Sequence, residues 1–265
     1  MKDFMKIIKL LLIIFLVSLL PLNSQGQKSP LQGVRGPVTR VEPTYWWTNM
    51  HNPDLQLMLH GKDISKSDVS INYPGITITD KKLTDNPNYI FLYININRET
   101  KAGFFNIELK NGKKKQLVKY ELKERLPNSA NRASFTEADN VYLLMPDRFA
   151  NGNPANDSIK GYIQAVNRSD LGKRHGGDME GIIQKIPYLA DLGITALWTT
   201  PFFDNNDTNY SYHHYGCSDY YKIDPRMGNN GDYLRLSQTA ANYGIKMIID
   251  VVPNHCGGSH WWVKD

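Results

Sequence analysis

From Val141 onward, apolar runs of strand length alternate with helical patterns, and that rhythm restricts the fold more than any other feature. Val141-Tyr142-Leu143-Leu144-Met145-Pro146 reads as a first strand. Asp178 is placed to cap a helix whose apolar positions Ile182, Ile183, Ile186, Leu189 and Leu192 share one face, closing at Gly193. Pro187 inside that pattern predicts a kink or a later start. Ile194 to Pro201 reads as a second strand. A second helix from about Asp232 to Tyr243 is expected to turn Leu234, Leu236, Ala240 and Ala241 inward before Gly244. Lys246 to Val252 reads as the third strand. Such alternation predicts a parallel sheet with helical crossovers. A closed eight-stranded barrel needs about 250 residues, whereas 137 follow Asn128. Either a small open α/β domain or the first part of something longer is expected.

Before the junction near Leu126-Pro127-Asn128-Ser129 the texture differs. Short β-rich runs, among them Leu55 to Leu59, Gly75 to Thr79, Tyr89 to Ile94 and Phe104 to Leu109, alternate with turn signals such as Asp85-Asn86-Pro87 and Asn111-Gly112. This pattern predicts an antiparallel sandwich of immunoglobulin type over residues 27–128. Lys113-Lys114-Lys115 reads as a solvated hairpin tip.

The N-terminus reads as an export signal over residues 1–26. Lys2, Lys6 and Lys9 precede the apolar run Leu10 to Leu20, and Ser24-Gln25-Gly26 offers a cleavage site. The run is short for a membrane span of about 20 residues, so a periplasmic or extracellular location is expected, with no membrane contact after cleavage; an uncleaved anchor is the alternative. Removing three lysines and Asp3 lowers the net charge from +5 to +3. That weak charge argues against a nucleic-acid partner. An exported chain could pair Cys217 with Cys256, but two cysteines are too few for a disulfide scaffold and read more simply as two free or half-buried thiols.

Polar groups gather where the strands exit. Asp147 to Asp157 follows strand one, Tyr210-Ser211-Tyr212-His213-His214-Tyr215-Gly216 follows strand two, and Asn254-His255 follows strand three. In α/β folds ligands bind at these carboxyl ends. Amides, carboxylates, imidazoles and aromatic rings together suit a sugar, whose hydroxyls need planar hydrogen-bonding partners and whose ring faces stack on aromatics.

Those same segments resemble the catalytic barrel of the α-amylase superfamily, glycoside hydrolase family thirteen, and most of all its cyclomaltodextrinases and neopullulanases. The likeness rests on Met145 to Gly152, Gly176-Gly177-Asp178, Leu192 to Trp198, Tyr212 to Tyr215, Ile223-Asp224-Pro225-Arg226 and Asp250 to His255. It implies a TIM (β/α)8 barrel, of which about three βα units are present in residues 129–265. Val41 to Trp47 and Asn52 to Leu57 are similar to the sandwich module that precedes the barrel in those enzymes. There the module packs on the barrel and often helps dimerise, so a homodimer of the full-length form is a candidate assembly. Trp46 and Trp47 are expected to serve packing.

The resemblance also implies site roles. Tyr215 would stack under the sugar at the cleavage subsite, His213 and His255 would bind its hydroxyls, and Asp250 would hold the strand end in register. Calcium is the implied cofactor, with Asn151, Asn153, Asn156, Asp157, Gly176 and Asp178 as its ligands and Asn254 as a further candidate. Calcium takes six to eight oxygen ligands, and this set supplies amide, carboxylate and carbonyl oxygens. Asn153 stands where the family commonly has Asp, and His214 where many relatives carry Gly.

Retaining hydrolysis of an α-1,4-glucosidic bond uses two carboxyl groups about 5–5.5 Å apart. The family places its nucleophile Asp, acid/base Glu and third Asp on strands four, five and seven. None of these falls within residues 129–265, so no catalytic residue is assigned here and Asp250 is not promoted to nucleophile. The expectation is an α-glucan hydrolase acting on starch oligosaccharides, cyclodextrins or pullulan in its full-length form. The 265-residue chain is expected to be an inactive N-terminal fragment. The alternative is a noncatalytic α-glucan-binding protein.

Overall fold

The computed structural model describes residues 36–131 and 134–265; the expected export signal lies outside them. The chain divides into two compact units, one ending at Ser134 and one spanning Phe135–Asp265.

The first unit is a β-sandwich. Its strands are β1 (Val38–Glu42), β2 (Tyr45–Trp47), β3 (Asp54–Gly61), β4 (Asp68–Ile71), β5 (Ile76–Leu83), β6 (Tyr89–Ile96), β7 (Gly103–Asn111) and β8 (Lys114–Lys123). They form two four-stranded sheets, ordered β1-β3-β6-β5 and β2-β8-β7-β4. Strict alternation drives the layering: along β6, Ile90, Leu92, Ile94 and Ile96 are buried while the residues between them are not. These side chains meet Leu57, Leu59, Ile107, Leu109, Val118, Tyr120 and Leu122 in one core. The sandwich is not wholly antiparallel, since β2 runs parallel to β8. The basic stretch also differs from a pure hairpin tip. Gly112, at φ +57°, makes the turn, and Lys114 and Lys115 are already paired in β8. Strand β8 escapes notice in the sequence because Gln116 occupies an inward position, held by Val38 N–H at 2.9 Å and Val38 C=O at 3.3 Å.

The second unit is the first part of a β/α barrel. Strands β9 (Val141–Leu144), β10 (Ala196–Thr199) and β13 (Lys246–Ile248) lie parallel in the order β13-β10-β9. Helices Met179–Asp191 and Asn230–Asn242 make the crossovers. A short antiparallel pair, β11 (Phe203–Asp204) with β12 (Asp219–Ile223), flanks the loop that follows β10. Leu144, Ile182, Ile186, Leu189, Leu197, Phe202, Leu236, Ala240 and Ile245 form the core between helices and sheet.

Asp178 caps the first crossover helix as expected, accepting Gly181 N–H at 2.7 Å. Pro187 sits on its exposed side and the helix runs through it. The second helix starts earlier than expected. Asn229 caps it, and Asp232 closes a capping box back to the Asn229 backbone. Leu236 and Ala240 face inward, but Leu234 and Ala241 are exposed, as is Leu192 at the end of the first helix. One residue turns a helix by about 100°, so the neighbours of an inward position leave the buried stripe. All three strands are shorter than the apolar runs suggest, the second spanning only Ala196–Thr199. Pro146–Phe149 is a helical turn, and β13 stops at Ile248, where its pairing with Trp198 ends.

Candidate functional site

The carboxyl ends of β10 and β13 are joined by one carboxylate. Asp250 Oδ2 accepts a hydrogen bond from Trp198 Nε1 at 3.2 Å and another from the Tyr215 hydroxyl at 3.1 Å. Trp198 is the penultimate residue of β10, Asp250 follows β13 and Tyr215 lies on the loop between them, so three chain segments converge on one group. Burial and the adjacent Asp250 carboxylate both raise the Tyr215 pKa, which keeps the phenol protonated and donating.

Tyr215 reaches that position because the loop turns tightly. Ser211–His213 form a single 3-10 turn bracketed by Tyr210 and His214, both left-handed at φ +55° and +61°. The Tyr215 backbone N–H then donates to His213 Nδ1 at 3.0 Å. Accepting there leaves the His213 proton on Nε2. Half-burial lowers its pKa, partly offset by Asp207, so the ring is neutral near pH 7.

His214 points inward and is fully buried. Its Nδ1 lies 2.8 Å from the Phe203 carbonyl and its Nε2 3.2 Å from Arg174 Nη1. A carbonyl requires a donor and a guanidinium requires an acceptor, which fixes one neutral tautomer. Burial pushes the His214 pKa down to about 3 despite nearby Asp224. Beneath it Arg226 grips Asp224 through Nε and Nη2 at 2.9 and 2.7 Å and also donates to the Gln164 carbonyl at 2.9 Å. Burial would raise the Asp224 pKa, but these bonds outweigh it and hold it at about 2. The ring is therefore part of the loop's foundation and does not project into solvent.

The loop after β13 carries Asn254 and His255, both exposed and bonded to each other at 3.2 Å. The Tyr220 hydroxyl holds this loop through the Val252 and His255 carbonyls at 3.1 and 2.7 Å. Asn254 makes no bond to the cluster that follows β9.

That cluster brings the remaining oxygen donors together. Asn151 Nδ2 lies 2.6 Å from Asp157 Oδ1, while Asn151 Oδ1 and Asn156 Oδ1 are buried with no hydrogen-bond partner among the described residues. Gly176, at φ +90°, packs so tightly that a Cβ there would meet Asp157 Oδ1 at 2.6 Å. Two buried carbonyl oxygens without donors, beside a carboxylate, are what a hard cation would satisfy and what a plain turn leaves unexplained. Asp178 is already engaged by the N–H groups of Gly152, Asn153 and Gly181 at 3.0, 2.9 and 2.7 Å. Asn153 Oδ1 accepts Ala155 N–H at 3.3 Å. Both therefore shape the loop, and Asn151 and Asn156 carry the open oxygens, beside an Asp157 carboxylate held by Asn151 Nδ2 and, at 3.4 Å, by Arg168.

Sequence reasoning assigned no role to several scaffold groups. Asp147, fully buried, accepts the His175 and Gly176 N–H groups at 2.8 and 3.3 Å and so aims the Gly176 segment at the Asn151 cluster. Trp198, Tyr220, Asp224 and Arg226 act in the same supporting way. A carboxylate such as Asp147 one residue beyond a strand-end proline was the available signal.

Parallel strands with helical crossovers and a ligand-type rim at their carboxyl ends define a β/α-barrel protein with an exit-loop site. Residues 143–265 match the family model described as alpha amylase, catalytic domain, and residues 40–126 that described as cyclomaltodextrinase, N-terminal. The chain belongs to the α-amylase superfamily, with a sandwich module of cyclomaltodextrinase type before the barrel. Neopullulanase 2 of Thermoactinomyces vulgaris is 41% identical over 129 residues, covering 47% of this chain and 21% of that protein. The cyclomaltodextrinase of Thermoanaerobacter pseudethanolicus is 42% identical over 127 residues, covering 47% and 21%. Cyclomaltodextrin glucanotransferase of Bacillus sp. strain 1-1 is 45% identical over 132 residues, covering 47% and 18%. The chain thus spans about a fifth of the length of these curated relatives. A solved Anoxybacillus α-amylase is 40% identical, with a TM-score of 0.44, over 48% of this chain and 26% of that one.

Proposed function

We propose that this chain carries the substrate-contacting rim of an α-glucan-acting enzyme of α-amylase type, cleaving α-1,4-glucosidic bonds with retention in its longer form. The observation that carries the reading is the Asp250 junction, which sets Tyr215 beside the exit of β13 with the His213 ring tilted against it, centroids 5.4 Å apart. In this reading the Tyr215 ring supports a glucose face, while the His213 Nε2–H and the exposed His255 ring serve its hydroxyls. Asp250 acts as a positioning residue: one of its oxygens already accepts two hydrogen bonds, which suits it poorly to nucleophilic attack. Acid/base chemistry needs a second, separately poised carboxyl, and the rim of β9, β10 and β13 supplies no such pair among the groups described above. The 265-residue chain therefore binds maltooligosaccharide or cyclodextrin without hydrolysing it.

Calcium belongs to the same proposal. The Asn151, Asn156 and Asp157 side chains and the Gly176 carbonyl would hold the ion, with Asp178 bracing the loop and Asn254 outside the cluster. The ion would supply charge that fixes the loop after β9, and no bond-breaking step passes through it. Export is proposed from the N-terminal reading. A homologous periplasmic α-amylase of Escherichia coli is 36% identical over 128 residues, and among the described residues no helix is long and apolar enough to cross a membrane.

Calorimetric titration with maltoheptaose and β-cyclodextrin, paired with a reducing-sugar assay, tests the reading. Binding that is lost in Tyr215→Ala, with no sugar release, is expected. No binding to the folded chain overturns the rim assignment, and sugar release by the chain alone overturns the assignment of Asp250 as a positioning residue.

A further inference from the structure

Cys217 and Cys256 are both free thiols, and the backbone brings them together although 38 residues separate them in the chain. Gly257 N–H donates to the Cys217 carbonyl at 2.8 Å. Covalent geometry on either side of that bond caps the Cα separation of Cys217 and Cys256 at roughly 7.5 Å. Bending at the amide and the carbonyl shortens it from that ceiling toward the span of about 4.4–6.8 Å that a disulfide bridges. The approach is close throughout: a Cβ on Gly257 would sit 2.4 Å from the Gly216 carbonyl oxygen. Asp207 clamps the same place, with its Oδ1 accepting Ser259 N–H at 3.2 Å and its Oδ2 only 2.1 Å from where a Gly216 Cβ would lie. Both thiols also lie near enough to the Tyr220 hydroxyl to raise its pKa, after burial.

From this juxtaposition we propose that Cys217 and Cys256 form an intramolecular disulfide that staples the loop carrying Tyr215 to the loop carrying His255. The two thiols are unequal. Cys217 is buried, and that burial pushes its pKa up to about 12, whereas Cys256 is half-exposed. Cys256 is thus the first to react. With a small-molecule disulfide such as oxidised glutathione, the Cys256 thiolate attacks one sulfur, forms a mixed disulfide and releases one glutathione thiolate. Cys217 then gives up its proton to that thiolate and attacks the Cys256 sulfur, expelling the second glutathione. Two protein thiols are oxidised and one glutathione disulfide is reduced to two thiols. The staple depends only on the fold and not on which sugar the rim binds.

The test treats the folded 265-residue chain with oxidised glutathione at pH 8, alkylates the remaining thiols and maps peptides by mass spectrometry. The expected result is a monomer lighter by two hydrogens, a peptide linking Cys217 to Cys256, no alkylation at either position, and full reversal by dithiothreitol. Cys256→Ser, a substitution at a half-exposed site, is expected to leave Cys217 unreacted and alkylatable after unfolding. A glutathione adduct that persists on Cys256 beside a free Cys217, a disulfide-linked dimer, or two unreacted thiols overturns the proposal.

Discussion

Acid should destabilise this protein in a pH range set by His214. The ring is fully buried, donates from Nδ1 to the Phe203 carbonyl at 2.8 Å and accepts at Nε2 from Arg174 at 3.2 Å. Arg174, Arg226 and Asp224 are the charged groups around it. A second proton would point an N–H at the Arg174 guanidinium, and Asp224, 3.7 Å away and already paired with Arg226, does not offset that. The folded pKa is about 3 against 6.5 for the free side chain. As pH falls below 6.5 the unfolded chain takes up a proton that the native state refuses, so stability drops by about 1.4 kcal/mol per pH unit down to the folded value. Between pH 6.5 and 5 the loss is about 2 kcal/mol. Half-buried His213, also with a lowered pKa, adds in the same direction. Asp224, with a folded pKa of about 2 against 3.8, loses its contribution only below that upper value. Urea unfolding at pH 7 and pH 5 measures the effect. The control is His214→Asn, whose short amide tolerates left-handed backbone and places an N–H where Nδ1 donates. The variant should be less stable at pH 7 yet lose about 2 kcal/mol less on going to pH 5. An equal loss in variant and parent refutes the buried neutral histidine as the cause.

Other expectations are narrower. Asp250→Ala frees the Tyr215 hydroxyl and the Trp198 indole together, so a cost of about 2–3 kcal/mol in urea unfolding is expected, along with weaker binding of maltoheptaose. Tyr215→Phe keeps the ring and loses only the 3.1 Å bond; its cost should be about 1 kcal/mol, and a larger one would show the hydroxyl to have a further partner. If the Asn151 cluster holds calcium, ion at one hundred times its Kd adds about 2.7 kcal/mol of stability. That gain should vanish with chelator and in Asp157→Ala, and an unchanged Tm across calcium titration refutes the site. In the sandwich, Leu57→Ala at a fully buried position should cost about 2–5 kcal/mol, measured by denaturation.

Periodicity made much of the architecture legible. The alternation along β6, the cap at Asp178 and the glycines Gly193 and Gly244, at φ +84° and +73°, follow from signals only a few residues long. The family likeness likewise rested on contiguous motifs, and the matches over residues 40–126 and 143–265 agree with it. Short strands were harder to read: β1, β2 and β4 span three to five residues, too few for a period to register. Strand β8 hid behind the inward Gln116, whose partner lies 78 positions away. The helix face was read one position too wide at Leu234 and Ala241.

By itself the sequence determined which residue types stand at each strand exit, because turns, caps and apolar periods are encoded within one element and need no distant partner. Tertiary structure decided what those residues do. It turned His214 into the floor of the loop, and it made Asp250 the joint between β10 and β13. It left Asn151 and Asn156 with unanswered oxygens and laid Cys217 against the loop that follows Cys256. Each outcome depends on a hydrogen bond or a charge arriving from elsewhere in the chain, and the strength of such a contact is set by burial and approach distance, which the chain acquires only when folded.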